Sequence, residues 1–314
     1  MFKQSLPKYI DKVFVPPIKC QGIKTKLVPF IARSIQWNGK GKWVEPFLGS
    51  GVVLFNIAPE RALVSDTNEH IIKFYNALKI GQIDEHIVKE YLENMGVKLY
   101  NGKADFYYEI REEFNNDGDP LKLLFLNRSG FNGIMRFNGS GKYNVPFGHK
   151  PERFRKAYIT KIVNQVKNIR KLIRKKDWKF IVSDWKDTLA KCEPDDFVYL
   201  DPPYIGRHTD YYNGWKENDA ADLAYTSSNL PCGYALSMWK ENRYRSNDHL
   251  GNFWTDCVER TYDHFYHVGS KEKFRNKITE SLLIKPGFES KFKSDKAFES
   301  KIDEKNKQLI IFNS

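Results

Sequence analysis

The sequence predicts an α/β fold, a mostly parallel sheet covered by helices, on three observations. Through the first ninety residues, short apolar strand patterns alternate with helix-spaced apolar patterns, as in a parallel sheet. Glycines follow the first strand, and the strand patterns 61–66 and 179–184 both end in an aspartate. Hydrophobic residues make up 41% and aromatic residues 15% of the 314 residues, which is enough for a sizeable core.

The amino-terminal elements follow from apolar spacing and from breaker residues. Apolar residues at helix spacing in IKTKLVPFIARSI predict a helix, which Pro29 caps or kinks. The glycine turn LGSG separates the first strand from the next helix. In chain order we predict a helix over 23–35, a strand over 42–47, a helix over 51–58, a strand over 61–66 and a helix over 70–80.

The middle of the chain has a different character. Aromatic residues, Asn and Gly are frequent over 98–150, and NRSGFNGIMRFNGSGKYNVPFG (127–148) has neither a strand nor a helix period, which is typical of a functional loop. An apolar stripe then predicts a helix over 156–176, formed by Ile159, Ile162, Val163, Val166, Ile169 and Ile173. Further strands are predicted over 179–184, 196–204, 233–239 and 278–284, followed by a lysine-rich tail.

Charge and cysteine content limit the partners and the compartment. The chain has 51 Lys and Arg against 39 Asp and Glu, and this net charge of +12 favours a polyanionic partner, nucleic acid before an anionic membrane. An ordinary basic protein is the alternative. We expect no transmembrane helix and no secretory signal, because no apolar run is long enough for either. The four cysteines form no CxxC pair, so we expect reduced thiols in a cytoplasm, no metal site and no disulfide framework.

The glycine turn and the acid after the next strand indicate a nucleotide-like cofactor. Gly49 and Gly51 in EPFLGSG lie where the first strand meets a helix, and glycine there lets the backbone approach a ligand closely. Asp66 ends the second strand, where an acid commonly accepts hydrogen bonds from ribose hydroxyls. An ordinary strand–helix turn and a helix cap are the alternative interpretations. Together the two features favour the cofactor.

The stretch VYLDPPY indicates a site for an exocyclic amine. A strand-end carboxylate at Asp201 and an imide carbonyl between the prolines are two hydrogen-bond acceptors held close together. Pro202 and Pro203 stiffen that corner and remove competing N–H donors, while Tyr204 offers an aromatic face to a planar ring such as adenine. Accepting both hydrogens of the amine favours a pyramidal nitrogen whose lone pair can be aimed at an electrophile. A simple strand-ending turn is the alternative.

Taken in order, these blocks resemble the Dam-type (D12 class, alpha group) DNA adenine N6-methyltransferases. EPFLGSG, SDTN (65–68), the 127–148 stretch and DPPY follow the order of that group, and the resemblance spans roughly residues 18–287. It implies a Rossmann-like S-adenosylmethionine-dependent methyltransferase fold with an inserted, mainly helical target-recognition domain. The implied division is a catalytic domain over 1–90 and 177–290, a target-recognition domain over 91–176 and a C-terminal tail over 291–314.

The resemblance implies S-adenosylmethionine as the cofactor. The residues it assigns to the cofactor are Lys19, Gly22, Lys24, Phe47, Gly49, Gly51, Asp66, Asp184 and Trp185. Asp66 matches the acid that holds the ribose, and Asp184 with Trp185 matches the contacts to the cofactor adenine. The family block KWAGGK is KCQGIK here (19–24), in which Lys24 is placed to meet the methionine carboxylate. The departures from that block are Cys20, Gln21 and Ile23.

The resemblance also implies the catalytic and DNA-binding residues. The catalytic tetrad is Asp201, Pro202, Pro203 and Tyr204. The base must leave the duplex at a cost of a few kcal/mol, and Phe131 matches the family's intercalating aromatic, with Asn132 as its polar neighbour and Ile134 as a second wedge. Arg136 is placed to read guanine, although Phe131 could instead anchor its loop to the core. The other residues assigned to DNA are Arg128, Asn144, Lys271 and Arg275.

We therefore expect an enzyme that methylates N6 of a flipped-out adenine in double-stranded DNA. Residues 151–180 contain 11 Lys and Arg against 2 Asp and Glu, so the helix 156–176 is expected to face phosphates, with a solvated face as the alternative. The loop 207–215 is expected to close over the flipped base. A restriction endonuclease acting on the same site is a candidate partner, and the expected setting is the cytoplasm of a prokaryote or a phage-infected cell.

The same residues give less support to three other functions. N4-methylation of cytosine poses the same amine chemistry, but enzymes of that kind more often carry Ser at the position of Asp201. A catalytically silent DNA-binding homologue normally shows a damaged tetrad or glycine motif, and both are intact here. A nicotinamide dehydrogenase lacks its GxGxxG fingerprint. The target sequence stays open, because Arg136 alone fixes at most one base pair.

Overall fold

A computed structural model of the 314-residue chain describes residues 5–203, 215–242, 247, 249–267 and 275–291. Its strands are β1 (Trp43–Glu45), β2 (Arg61–Asp66), β3 (Asp177–Val182), β4 (Phe197–Leu200), β5 (Gly233–Asn242), β6 (Val258–His267) and β7 (Arg275–Ile284). Its α-helices are α1 (Val28–Ser34), α2 (Val52–Ile57), α3 (Glu69–Ile80), α4 (Glu85–Asp117), α5 (Pro120–Ser129), α6 (Lys156–Lys175), α7 (Trp185–Leu189), α8 (Glu217–Ser228) and α9 (His249–Phe253).

In the described part of the chain, these strands form a single mixed sheet in the order β3-β2-β1-β4-β5-β7-β6. The five strands from β3 to β5 are parallel, whereas β7 runs antiparallel to both β5 and β6. The chain moves outward from β1 through β2 to β3 and then returns to β4 beside β1. Such a reversal leaves a crevice at the carboxyl ends of β1 and β4, where α/β proteins bind their ligands.

Helices bury both faces of the sheet, as the apolar strand patterns require. Successive residues of one strand point to opposite faces, so Trp43 packs into the core cluster on the side of α1, α2 and α3, and Val44 into the cluster on the side of α7 and α8. In the same way Phe197 and Val198 of β4 enter different clusters. This double burial holds the strand ends, and therefore the site, in fixed positions.

Most predicted elements are confirmed, several of them with different boundaries. The helix predicted over 23–35 begins only at Val28, because Pro29 occupies its first turn and lacks the N–H that an earlier turn would need. The strand predicted over 42–47 ends at Glu45, since Pro46 starts the glycine turn. The tail over 291–314 lies outside the described residues except for Lys291.

The helices α3 to α6, which follow β2 and precede β3 along the chain, form a layer that carries the 127–148 stretch. We call this stretch the recognition segment. The long helix α4 changes phase at Lys103, whose φ of 47° is left-handed, and then continues to Asp117. It packs on α5 and α6, and its core residues join the cluster that covers α3. Because α4 begins at Glu85, the domain boundary proposed after residue 90 falls inside this helix.

The described residues contain neither a membrane-spanning helix nor a cluster of metal ligands. Within the described ranges, none of the helices has the length and apolar character needed to cross a membrane. The residues that the structure describes also contain no group of three or more His, Cys, Asp and Glu side chains placed to hold a metal ion.

Candidate active site at the strand switch point

The glycine turn after β1 exposes main chain to the crevice. Gly49 has φ +49° and nothing within 4 Å of the place where a Cβ would stand, while its N–H donates to Oδ2 of Asp66 at 2.8 Å. Gly51 has φ +70°, and a Cβ there would come within 2.6 Å of the Phe55 ring. Gly49 is thus needed for open space beside the main chain, and Gly51 for packing of the turn on α2.

Asp66 ties the end of β2 to this turn. Its Oδ1 accepts the N–H of Asn68 at 2.9 Å, and Asn68 in turn caps the amino terminus of α3 by accepting the N–H of His70. Burial raises the pKa of Asp66, and the two main-chain N–H groups oppose that rise. Each carboxylate oxygen keeps a second lone pair, so Asp66 can still accept hydrogen bonds from a ligand's hydroxyl groups.

A single cleft joins the ends of β1, β2 and β4. Residues predicted to bind the cofactor or to act in catalysis that line it are Gly22, Lys24, Phe47, Gly49, Asp66, Asp184, Trp185, Asp201 and Pro203. Lining residues that the sequence analysis did not assign include Gln21, Glu45, Ser50, Tyr199 and Trp215. Gly22, with φ +72° and no atom within 4 Å of its Cβ position, gives the cleft a second stretch of exposed backbone.

One wall of the cleft is aromatic. Trp185 is buried at the start of α7, and the Asp184 carboxylate caps that helix by accepting the N–H of Lys186 at 2.8 Å. Trp215 packs edge-on against Phe47 with ring centroids 5.6 Å apart and lies 6.3 Å from the Trp185 ring. A flat ring entering here would meet apolar faces on one side and the Asp184 carboxylate at the rim.

Of the predicted catalytic tetrad, the structure describes Asp201, Pro202 and Pro203. The buried strand β4 ends at Leu200, so Asp201 emerges at the floor of the cleft, where its Oδ1 lies 2.8 Å from Nζ of Lys24. Burial raises the pKa of Asp201, the Lys24 ammonium opposes this rise, and Glu280 adds to it. Tyr204 and the loop 207–214 lie outside the described residues, so their predicted roles stay predictions.

Glu45 is a second carboxyl group at this floor that the sequence analysis missed. Its side chain is buried at the end of β1 and accepts the Trp43 Nε1–H at 2.8 Å. Burial raises the pKa of Glu45 to about 8, and the neighbouring Asp201 carboxylate acts in the same direction. The only signal in the sequence was an acid at the end of an apolar strand, EPF, which reads equally well as a turn.

The raised pKa of Glu45 predicts a pH-dependent contribution to stability. The folded protein holds a proton on Glu45 that the unfolded chain releases near pH 4.5, so the contribution is complete below that pH and is lost as pH rises towards about 8. The free energy of unfolding should therefore fall with pH more steeply in wild type than in Glu45→Gln, by up to about 1.4 kcal/mol per pH unit. Urea unfolding between pH 5 and 8.5 measures the difference.

The matched control for this effect is Glu90→Gln, which removes an exposed carboxylate from α4. Its unfolding free energy should run parallel to that of wild type across the pH range. Equal slopes for wild type and Glu45→Gln would contradict a protonated, buried Glu45.

The KCQGIK block reaches the recognition segment as well as the cleft. Lys19 does not line the cleft; its side chain passes beneath Gly133, where a Cβ would stand 2.7 Å from the lysine Cδ. Burial lowers the pKa of Lys19 to about 8, and the positive charges of Arg128, Arg153 and Lys161 add to this effect. The Lys19 side chain therefore lies against the recognition segment and not in the cleft to which the resemblance assigns it.

Gln21, one of the departures from the family block, connects the cleft to the recognition segment. Its Oε1 accepts the main-chain N–H of Met135 at 3.3 Å, while Nδ2 of Asn68 donates to Sδ of Met135 at 3.5 Å. Met135 stands between Ile134 and Arg136, two residues assigned to DNA. The departure therefore gives this chain a side-chain contact between the two parts of the site.

The recognition segment presents its two predicted wedges differently. The Phe131 side chain is 48% exposed, while its main-chain N–H donates to the Pro146 carbonyl. Asn132 beside it is exposed and has φ +51°. Ile134 is half-buried and packs against the core. Phe131 is thus the apolar side chain in this segment that projects to solvent, whereas Ile134 is partly used in packing.

The two arginines assigned to DNA have different surroundings. Arg136 donates from Nε to Oδ1 of Asn144 at 2.7 Å and from Nη2 to the Asn144 carbonyl at 3.1 Å, so Asn144 fixes the plane of the guanidinium. Arg128 instead points inward and donates to the Pro17 carbonyl and to Oε1 of Gln165. Burial lowers the pKa of Arg128 to about 10, and a DNA contact from Arg128 would require breaking these bonds.

The basic helix α6 reaches the recognition segment only with its amino-terminal half. Gln165 contacts Arg128, and Lys161 lies near Lys19, whereas the carboxyl end leads into β3 at the amino ends of the strands. Arg153, just before α6, donates to the Gly130 carbonyl at 3.1 Å. Lys271 lies outside the described residues, and for Arg275 the structure describes only the position at the start of β7.

Fold and cleft together define a class: a Rossmann-like α/β enzyme with a cleft of the kind that suits a nucleotide-like ligand and with a carboxylate at the end of β4. Residues 21–268 of the chain match the model of the D12 class N6 adenine-specific DNA methyltransferases. The match covers most of the chain, and the chain belongs to this family of adenine-specific DNA methyltransferases.

Curated relatives agree with the family match. The DNA adenine methylase of Salmonella typhi is 32% identical over 228 residues, which cover 68% of this chain and 75% of that protein. The DNA adenine methylase of Vibrio cholerae serotype O1 is 33% identical over 219 residues, 66% of this chain and 73% of the relative. That of Escherichia coli strain K12 is 34% identical over 193 residues, 60% of this chain and 64% of the relative.

Proposed function

We propose that the chain transfers a methyl group from S-adenosylmethionine to N6 of an adenine extruded from double-stranded DNA. The observation that carries this proposal is the Asp201 carboxylate at the floor of a cleft whose rim exposes the main chain of Gly22 and Gly49. A nucleoside-bearing cofactor fits that rim, and an exocyclic amine fits the floor.

Three groups of cleft residues each fit one part of the cofactor. The open main chain at Gly22 and Gly49 fits its methionine part, the Asp66 carboxylate its ribose hydroxyls, and Asp184 with Trp185 its adenine ring. When bound, S-adenosylmethionine supplies an electrophilic methyl carbon. The aromatic wall excludes water from the place where the amine must approach.

Asp201 and the main-chain carbonyl of Pro202 act on the target amine. The adenine N6 lone pair is delocalised into the ring, so the amine is a weak nucleophile until its two hydrogens are accepted by these oxygens. Such acceptors favour the pyramidal nitrogen of the transition state over the planar nitrogen of the free base, which is how they lower the barrier. The Asp201 carboxylate is also placed to take the proton that the amine loses. Tyr204 is proposed to stack on the flipped ring.

The recognition segment supplies the DNA contacts. Phe131, exposed beside Asn132, can fill the gap left by the extruded base, which costs a few kcal/mol to unstack. Arg136, held by Asn144, presents the end of its guanidinium to a guanine edge. Lys19, Arg153 and Lys161 form the cationic surface beside this segment, and their mutual proximity favours a phosphate partner with salt-dependent affinity.

A direct test uses purified protein, unmethylated duplex DNA and S-adenosylmethionine with an isotopically labelled methyl group. After digestion to nucleosides, mass spectrometry should find the label in N6-methyladenine. The same duplex already methylated at adenine N6 should take up no label and serves as the matched control. Label in N4-methylcytosine would overturn the substrate, and absence of label with both ligands bound would make the chain a binding protein. A cognate restriction endonuclease and a bacterial or phage setting stay predictions.

A further inference from the structure

The ammonium of Lys24 is the feature of the cleft that the proposed roles leave unexplained. Lys24 is only 4% exposed, and its Nζ lies 2.8 Å from Oδ1 of Asp201. The same nitrogen donates to the Gly22 carbonyl at 3.1 Å, so the charge is fixed between the backbone of the cleft rim and the catalytic carboxylate. The resemblance places this lysine against the methionine carboxylate instead.

The surroundings of Asp201 are dominated by acidic and phenolic groups. Glu45 on β1, Tyr199 on β4 and Glu280 on β7 are the titratable groups that face Asp201 from the strands packed around it, and all three are nearly fully buried. Lys24, from the loop before α1, faces it with the opposite charge. Among such buried neighbours an uncompensated carboxylate is costly, so this group would otherwise take up a proton.

The proposed catalysis needs Asp201 as an ionised carboxylate. A protonated carboxyl group loses an acceptor oxygen and carries an O–H donor, which would oppose the N–H groups of the target amine. One Asp201 oxygen is held by Lys24, so the orientation of the other is fixed as well.

We propose that Lys24 is a positioning residue that keeps the Asp201 carboxylate ionised and oriented towards the target amine. This inference rests on the proposed methyl transfer and assigns to Lys24 a task other than cofactor binding.

The test is the pH dependence of single-turnover methylation in Lys24→Met. The rate follows ionised Asp201 and rises with pH through the pKa of that group. Removing the opposite charge should therefore move the acid limb of the profile to higher pH by about 1 to 3 units. Lys26→Met removes a charge from an exposed side chain two residues away and should leave the profile in place. Lys24→Arg, which keeps the charge, should recover most of the acid limb.

Two further readouts separate this proposal from its rivals. If Lys24 serves the methionine carboxylate, Lys24→Met weakens cofactor binding but leaves the acid limb unchanged, which overturns the proposal. Independently of turnover, the ¹³Cγ signal of Asp201 in aspartate-labelled protein, identified by its absence in Asp201→Asn, should titrate at higher pH in Lys24→Met than in wild type. An unchanged titration would overturn the inference, and this readout holds even if the chain methylates nothing.

Discussion

Asp201→Asn is expected to reduce the single-turnover rate of adenine methylation by about 100- to 1,000-fold, the range found when a group that stabilises a transition state is removed. The amide has the shape of the carboxylate, so the loss is chemical and not a matter of volume. One of its two hydrogen-bonding atoms becomes an NH₂ donor, which opposes the amine hydrogens, and the remaining oxygen is a neutral acceptor. Lys24 also loses its charged partner at 2.8 Å.

The binding steps should survive this substitution. Affinities for cofactor and DNA are expected within about threefold of wild type, because the cleft residues proposed to hold the cofactor are Asp66, Asp184 and the glycine turn. Asp222→Asn makes the same chemical change in an exposed side chain that pairs with Lys186 on the surface, and it should keep the wild-type rate. A rate for Asp201→Asn above one tenth of wild type would remove Asp201 from the chemistry.

Local patterns were sufficient for six of the seven described strands and for α3 and α6, but not for β6 or α4. The apolar residues of α4 have helix spacing over Val88, Leu92, Met95 and Leu99, and again from Tyr107 to Phe114. The left-handed Lys103 between these stretches rotates the second stripe out of phase with the first. A single helical period therefore does not describe the apolar residues of the whole helix, although one period describes each half.

The site was predictable to the extent that it is local in sequence. EPFLGSG, Asp66 and DPPY each lie at the end of a strand, and the order of parallel strands brings such ends together. The contact between Lys24 and Asp201 joins residues far apart in the chain, and no sequence period reports it. The same holds for Gln21 and Met135. These contacts between residues distant in sequence determine the surroundings of each charged side chain. The surroundings of Lys19, Lys24 and Arg128 could therefore not be predicted from local sequence patterns.

The contact between Gln21 and Met135 has a consequence for how the two halves of the site cooperate. Gln21 lines the cleft, and Met135 is the residue between the half-buried Ile134 and Arg136, which is proposed to read a base. We therefore expect a ligand that orders the KCQGIK block to order the middle of the recognition segment as well. We expect cofactor and DNA to share this ordering cost, in which case linkage requires each to favour the other by the same factor.

Arg136→Ala should relax discrimination at one base pair of the recognition sequence. The Nε and one Nη2 hydrogen of Arg136 are used by Asn144, which leaves the end of the guanidinium for the O6 and N7 of a guanine. Loss of a bidentate arginine–guanine contact is worth about 1–3 kcal/mol, roughly 5- to 150-fold in kcat/KM at that base pair. The site is first mapped by sequencing methylated DNA, and kcat/KM is then measured on every single-base-pair variant of it.

Two further variants test whether the effect of Arg136→Ala comes from a contact with a base. Asn144→Ala frees the guanidinium without removing it, so it should relax the same base pair by a smaller factor. Lys142→Ala removes an exposed charge from the same segment and should leave the ranking of the variant sites unchanged. If Arg136→Ala lowered kcat/KM equally on all sites, the arginine would serve a phosphate, because contacts to the backbone carry no sequence information. In that case the base contacts of the recognition segment would have to come from other residues.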